Sequence, residues 1–333
     1  MVAQMPFRTK RTPGWAAGLL GVLAIAAIPA AALLAQDGGQ QAQAAFTVAE
    51  TGQGYRSLQR AVNAIGSQEG TIIVAPGTYR QCAVQEGGRI AYRASHPGQA
   101  IFSGETCEGK AALVLRGQSA FVEGLVFAGM EVEDFNGAGI RLETGDLTVS
   151  QSWFRDSEQG ILSNEDNAAR IRIDKSTFTR LGTCEGGGGC AHSIYIGDIA
   201  ELVVTNSRFE QGTGGHYVKS RAARSAIVNN SFDDSAGRGT NYMIDLSNGG
   251  GGQIAGNWFV QGRDKENYST FIAVGPEGAE YSSDGLRIEG NDARLVPGLR
   301  RNTAFIADWT GDRLAISENS SLLACTSASR VVI

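Results

Sequence analysis

Histidine, proline, tryptophan and methionine are all scarce in this 333-residue chain, at three, seven, four and four residues, and only 19% of it is charged. Few prolines beside 45 glycines exclude a collagen-like chain, and a 42% hydrophobic content excludes a disordered one. No block of lysine and arginine follows the first dozen residues, and the formal net charge is −5. Nucleic acid is therefore not an expected partner. Glycine is costly inside helices, so its abundance points to one ordered domain of many short elements joined by tight turns.

The one long hydrophobic run lies at the start. Basic residues Arg8, Lys10 and Arg11 precede an apolar stretch from Trp15 to Ala35, and Ala42 and Ala44 place small residues at a signal-peptidase site. Residues 1–44 read as a signal peptide, or as a membrane anchor if the segment is retained, since the run is about long enough to span a bilayer. The expected localisation is periplasmic or secreted, with the membrane a partner only in the anchored case. Five cysteines suit such a chain, because disulfides persist outside the cytosol. Cys184 and Cys190 bracket Glu185 and four glycines, a loop that gains order when closed by a disulfide.

An internal repeat runs through the remaining residues, 45–333. Short apolar segments end at Phe127, Phe154, Phe178, Phe209, Phe232 and Phe259, at intervals of 27, 24, 31, 23 and 27 residues. Ser152, Ser176, Ser207, Asn230 and Asn257 stand two positions before a phenylalanine, and Asn291 and Asn319 keep the polar place without it. A second short strand, centred on Ile140, Ile161, Ile194, Val218, Ile244, Ile272 or Ile306, separates successive copies. That spacing suits one coil of a parallel β-solenoid better than a βαβ unit, and an antiparallel sandwich would not keep the Asn/Ser-x-Phe phase. About eight to ten coils are expected. Phenylalanines would stack inside the tube, and Asn and Ser would form a ladder satisfying the turn backbone. Cys82 and Cys107, one coil apart, then become a second disulfide candidate. Ahead of the coils, Leu58, Ala61, Val62 and Ile65 form one face of an amphipathic helix suited to capping the solenoid's open end.

The helix motif Ser57 to Val62, the strand and turn Ile72 to Tyr79, and the Asn/Ser-x-Phe coils resemble the right-handed parallel β-helix of the pectin lyase-like superfamily over about residues 46–320. The resemblance implies an all-β fold but no single chemistry, since the superfamily includes pectate and alginate lyases, epimerases, hydrolases and adhesins. Residues 192–197, 215–221, 244–250 and 275–278 are also similar to exported bacterial β-helix repeat proteins.

Superposing the second strands on Ile194, Val218, Ile244 and Ile272 aligns Tyr195, Lys219, Asp245 and Ala273 as the residues that follow. If the apolar centres face the core, these face outward and stack about 4.8 Å apart. His192 and His216 occupy equivalent places two residues before the centres, where Gly214 and Gly215 permit a bend that would bring them to the same column. Arg221 follows two residues after Lys219, while other coils carry Ile161, Ala273 or Ala307 at comparable places. Two bland alternatives are a buried histidine ladder and an ordinary Lys–Asp pair on a sheet surface.

The cluster suits an anionic, uronate-containing polysaccharide. Abstraction of the proton next to a carboxylate needs cations, a base and an acid. Arg221 and His192 are the expected substrate-binding residues. Catalytic roles fall to His216 or Lys219 as base, Tyr195 as proton donor, and Asp245 as the group that orients a histidine or holds Lys219. A lyase is the expected activity. The alternatives are a non-catalytic glycan-binding or surface-attachment rod, a C5 epimerase and a glycoside hydrolase. The Asp-Pro-His motif of some epimerases is missing, and of the polygalacturonase motifs only Asp233-Asp234 is present. No cofactor and no metal are expected, because Asp245 has no aligned carboxylate on a neighbouring coil, and the protein is expected to be a monomer.

Overall fold

The computed structural model describes residues 44–322 and 331–332. The expected signal peptide, the expected domain boundary after residue 44, and Cys325 lie outside or at the edge of these residues.

Three sheets wind into a parallel β-helix. The second and third sheets each contain 10 strands, and the first contains 12, beginning with an antiparallel hairpin, Phe46–Val48 with Gln53–Tyr55. The strand Phe46–Val48 also pairs antiparallel with Glu69–Val74, and every pairing after that is parallel, including the segments around Phe209 and Phe232, so the antiparallel sandwich is excluded.

Inside the tube the phenylalanines stack as the repeat implies. Ring centroids from Phe127 to Phe154, Phe178, Phe209, Phe232 and Phe259 are separated by 5.0, 5.0, 4.7, 4.9 and 4.9 Å, with nearly parallel planes. All six are buried. Each such ring contributes a large apolar area to the core and a further packing gain from the stacked geometry.

Between the first and second sheets the turn is two residues long in coil after coil. Its first residue is left-handed: Gln151, Lys175, Asn206, Asn229 and Glu318 have φ between 48° and 57°. Gly256 and Gly290 take the same place at 64° and 63°. Its second residue is the Ser or Asn of the repeat, whose side-chain oxygen accepts from the corresponding backbone N–H one coil earlier. The ladder runs from Ser152 N–H to Ser176 Oγ, then through Ser207, Asn230, Asn257 and Asn291 to Asn319, at 2.8 to 3.3 Å. Asn257 Nδ2 also donates to the Ile227 carbonyl at 2.8 Å and to Asn291 Oδ1 at 3.0 Å. The buried turn backbone is thus satisfied without solvent.

Apart from residues 95–99, which join the first sheet to the second in an early coil, variation in repeat length falls mostly in the loops flanking the third sheet. Residues 182–193, 234–243 and 262–269 enter that sheet, and residues 275–286 leave it. These loops form walls on either side of its outer face.

The helix Leu58–Ile65 buries Leu58, Ala61, Val62 and Ile65 as its period requires. It lies beside the terminal strand of the third sheet, Ala83–Gln85. There Gln59 donates to the Val84 carbonyl at 2.9 Å and accepts from the Val84 N–H at 2.7 Å, replacing the strand missing at that edge. Both expected disulfides are formed, Cys82–Cys107 with Cα atoms 5.4 Å apart and Cys184–Cys190 with Cα atoms 4.1 Å apart. Among the described residues no helix is long and apolar enough to cross a membrane.

The ladder makes a direct prediction. Asn257→Ala leaves the Asn230 N–H buried without a partner and removes a second bond to the Ile227 carbonyl, which keeps its sheet partner, so chemical denaturation should show a loss of about 1–3 kcal/mol. Unchanged stability would show that the ladder is not holding the turns.

Candidate functional site

The register of the third sheet sets the site. Ile194 pairs with Val218, Val218 with Ile244, and Ile244 with Ile272, so Tyr195, Lys219, Asp245 and Ala273 form one column as expected. One coil earlier the column continues to Leu162, not Ile161. Ile161 pairs with Ile194 and faces the core, which corrects the placement of Ile161 beside the outward residues. Leu162 in turn pairs with Arg141.

Gly215, with φ 56°, bends the chain before His216. The imidazoles of His192 and His216 consequently stack at 4.9 Å beside the column, and His192 meets the Tyr195 ring edge-on at 5.3 Å. The His216 N–H donates to His192 Nδ1 at 2.9 Å. The third histidine, His96, is exposed, and its ring bonds its neighbour Ser95.

The column faces outward but is not open to solvent along its length. Lys219 and Asp245 are buried, at 8% and 2% exposure, because flanking loops cover that end of the face. A weak, exposed Lys–Asp pair is therefore ruled out. Asp245 Oδ2 lies 3.3 Å from His216 Nε2 and 3.6 Å from Lys219 Nζ, so both contacts considered for it are made. Its Oδ1 is sealed off without a hydrogen-bond partner.

Glu277 lies in the segment 275–278 and has no place in the strand column. Glu277 reaches back two coils, and its carboxylate pairs with both Lys219 and Arg221. The same loop is tied down by Asn248 Nδ2 to Glu280 Oε2 at 3.0 Å and by the Tyr281 hydroxyl to Asp198 Oδ1 at 2.6 Å. No repeat phase marks Glu277, because it sits in a variable loop that returns across coils. Arg221 also donates through Nε to the Tyr195 hydroxyl oxygen at 3.0 Å and through NH1 to Asn248 Oδ1 at 2.6 Å. Lys219 Nζ lies 5.5 Å from the Tyr195 ring centroid, within cation–π range.

Two cavities meet at Tyr195 and Arg221. One, of about 290 Å³, is lined by His192, His216, Lys219, Asn241 and Glu266 as well as the shared residues. The other, of about 600 Å³, extends along earlier coils past Leu162 and Asn164 to Arg141. Gly188 and Cys190 of the disulfide-closed loop line both. Together they form an elongated groove running across successive coils. A further grouping of Cys184, Cys190 and Glu266 has metal-ligand spacing, but its two sulfurs are bonded to each other.

Burial dominates the site's protonation. It pushes His192 well below the usual imidazole range and His216 down to about 3, with Lys219 adding to the effect on His216. It pushes Asp245 up to about 6, partly offset by Lys219. For Glu277 burial acts upward, but the bonds to Lys219 and Arg221 prevail and hold its carboxyl below the usual range. The cluster at neutral pH is thus two neutral imidazoles, two cations and two carboxylates.

Because the folded-state pKa of each site histidine is depressed, the stability they contribute is present above about 6.5 and is lost as pH falls below it, when the unfolded chain takes up the protons. Proton NMR should accordingly show the His216 Cε1–H without the full imidazolium displacement between pH 7 and about 5, with only the smaller movement that follows Asp245 through about 6. The full displacement with a midpoint near 6.5 would contradict the buried, neutral imidazole.

Among solved structures the chain is similar to a rice weevil pectin methyl esterase, 11% identical, over 85% of this chain and 90% of that one, with a TM-score of 0.46. It is similar to the PL6 family alginate lyase AlyGC, 14% identical, over 76% of this chain and 36% of that one, with a TM-score of 0.43. It is also similar to ORF18 of Geobacillus virus E2, 14% identical, over 79% of this chain and 56% of that one, with a TM-score of 0.43. The chain thus spans little more than half of the viral chain and about a third of the lyase. Comparison with curated protein sequences gives no match. The sequence profile of the right handed beta helix region matches residues 111–319, most of the coils described above, and the chain belongs to that family.

Proposed function

We propose that this is an exported, carbohydrate-active β-helix protein that binds a uronate-containing polysaccharide along the third sheet and eliminates across the uronate C4–C5 bond. The observation that carries the reading is the carboxylate already seated between Lys219 and Arg221. Glu277 occupies a two-cation site of the kind a sugar carboxylate requires, beside a phenol and a neutral imidazole. The elongated groove suits an extended chain, and the formed disulfides suit an oxidising compartment.

In this reading the substrate carboxylate displaces Glu277, and Lys219 and Arg221 neutralise the charge that develops as the C5 proton leaves. His216 accepts that proton at Nε2, and the Asp245 carboxylate beside it stabilises the imidazolium that forms. The electron pair of the C5–H bond becomes the C4–C5 double bond, the C4–O bond breaks, and Tyr195 protonates the departing oxygen. His192 supports the stack from the neighbouring coil.

Lys219→Ala should cut turnover by roughly a hundredfold or more, read as ultraviolet absorbance of unsaturated uronates from alginate, pectate or glycosaminoglycans, and should also lower the thermal midpoint, since Asp245 is left buried without its cation. Retained binding without turnover in the wild type would instead identify a glycan-binding rod. If Lys219→Ala and His216→Ala both unfold the protein and leave binding and turnover of the surviving fraction unaltered, the cluster is structural.

The pH dependence follows from Asp245. Its carboxyl must be ionised to support the imidazolium, so activity should fall as pH drops through about 6. In Asp245→Asn the acid limb near that pH should vanish along with most of the rate. A limb that persists unchanged would assign it to another group.

A further inference from the structure

Arg141 is a half-buried cation without an ion-pair partner, a condition it shares among the described residues with Arg301, whose guanidinium instead lies over the Tyr268 ring and bonds the Arg263 carbonyl. Arg116 is paired with Glu86, Glu108 and Glu143, Arg180 with Asp156, and Arg221 with Glu277. Arg141 has no carboxylate within ion-pair distance among the described residues. Its one side-chain hydrogen bond runs from NH2 to Asn164 Oδ1 at 2.6 Å, and its Nε is sealed from solvent without any partner. The nearby Glu143 is already engaged by Lys110 and Arg116. Burial works against its charge and depresses its pKa, as expected for a guanidinium without a counter-ion.

The position of Arg141 is set by the column. It pairs with Leu162, Leu162 with Tyr195, and Tyr195 with Lys219, so it lies three coils from Lys219, about 14 Å along the solenoid at ~4.8 Å per coil. Between the two cations, Leu162 and Tyr195 pack together on the outer face and make an apolar floor. Arg141, Asn164, Tyr195 and Arg221 all line the cavity of about 600 Å³, with exposed Glu165 at its lining as well.

We propose that Arg141, positioned by Asn164, forms a second carboxylate subsite that holds a uronate remote from the one bound at Lys219 and Arg221 on the same polysaccharide chain. This rests on the uronate reading of the Lys219 site and extends it to chain length. A guanidinium presents a planar fork that fits a carboxylate with two parallel hydrogen bonds, which an ammonium does not. Nε is sealed from the groove, so the fork is the end-on edge of NH1, which has no partner, and NH2, which Asn164 holds in place. Arg141 is a binding residue and takes no part in the chemistry. Its effect is to favour chains long enough to reach both ends of the groove.

The test uses the full chain and calorimetric titration with uronate oligomers, one set too short to span three coils and one long enough. The wild type should bind the long set more tightly. Arg141→Gln should weaken the long set by about tenfold, as expected for loss of a charge-assisted pair, and leave the short set unchanged. Arg141→Lys keeps the charge and loses the fork, so it should lie between the two and serves as the decisive variant if Arg141→Gln does not fold. A long-to-short affinity ratio unchanged in both variants overturns this inference and leaves the uronate reading standing. Failure of the wild type to bind either set overturns both.

Discussion

In-register stacking of one coil on the next is the constraint on which the rest of this structure depends. Each coil places a phenylalanine on the phenylalanine below it and an Asn or Ser oxygen on the N–H of the coil before it. The two contacts are complementary. Stacked rings are apolar and tolerate sliding, whereas the ladder hydrogen bonds are directional and forbid a shift of even one residue. Once that register is locked, every other position of the repeat is aligned too, including positions on the outside with no packing reason to be aligned. A column of Tyr195, Lys219 and Asp245 is a by-product of the same register that builds the core.

The tight turn explains why the chemistry gathers on one face. From Gln151 onward the left-handed residue and the ladder residue hold the turn between the first and second sheets at two residues, so in these coils changes in repeat length fall mostly in loops beside the third sheet. Those loops wall the groove and lower the dielectric over part of it. Asp245 and His216 are thereby shifted toward their neutral forms while Lys219 and Arg221 gain carboxylate partners. On a chain of net charge −5, long-range attraction does not favour an anionic polymer. In the uronate reading proposed above, recognition rests on a short stretch of cations displayed along the groove.

The two ends of that stretch differ in how their charge is met. At Lys219 and Arg221 the cations are paired with Glu277, the carboxylate that a uronate would replace in the proposed reading. At Arg141 nothing replaces the water lost on burial except Asn164. An exchange of carboxylates at one end and the filling of an unmet site at the other are energetically distinct events. The second adds interactions without first breaking any.

Much of this was legible in the repeat. The phase of Phe and Asn/Ser identified the solenoid, and the apolar centres Ile194, Val218 and Ile244 fixed which residues share a column, because both follow from the two-residue period of a strand. The same counting slipped by one at Ile161, where Leu162 holds the outer place, and so passed over Arg141. Glu277 could not be found this way. It reaches Lys219 from a loop two coils distant, and a returning loop has no period. The sequence by itself thus determined the winding, the core ladder and the outward column, since these are set by local alternation repeated coil after coil. Only the tertiary structure decided that the column is partly roofed, that its cations are already paired, and that Arg141 is not, because burial and ion pairing depend on how separate loops meet over the sheet.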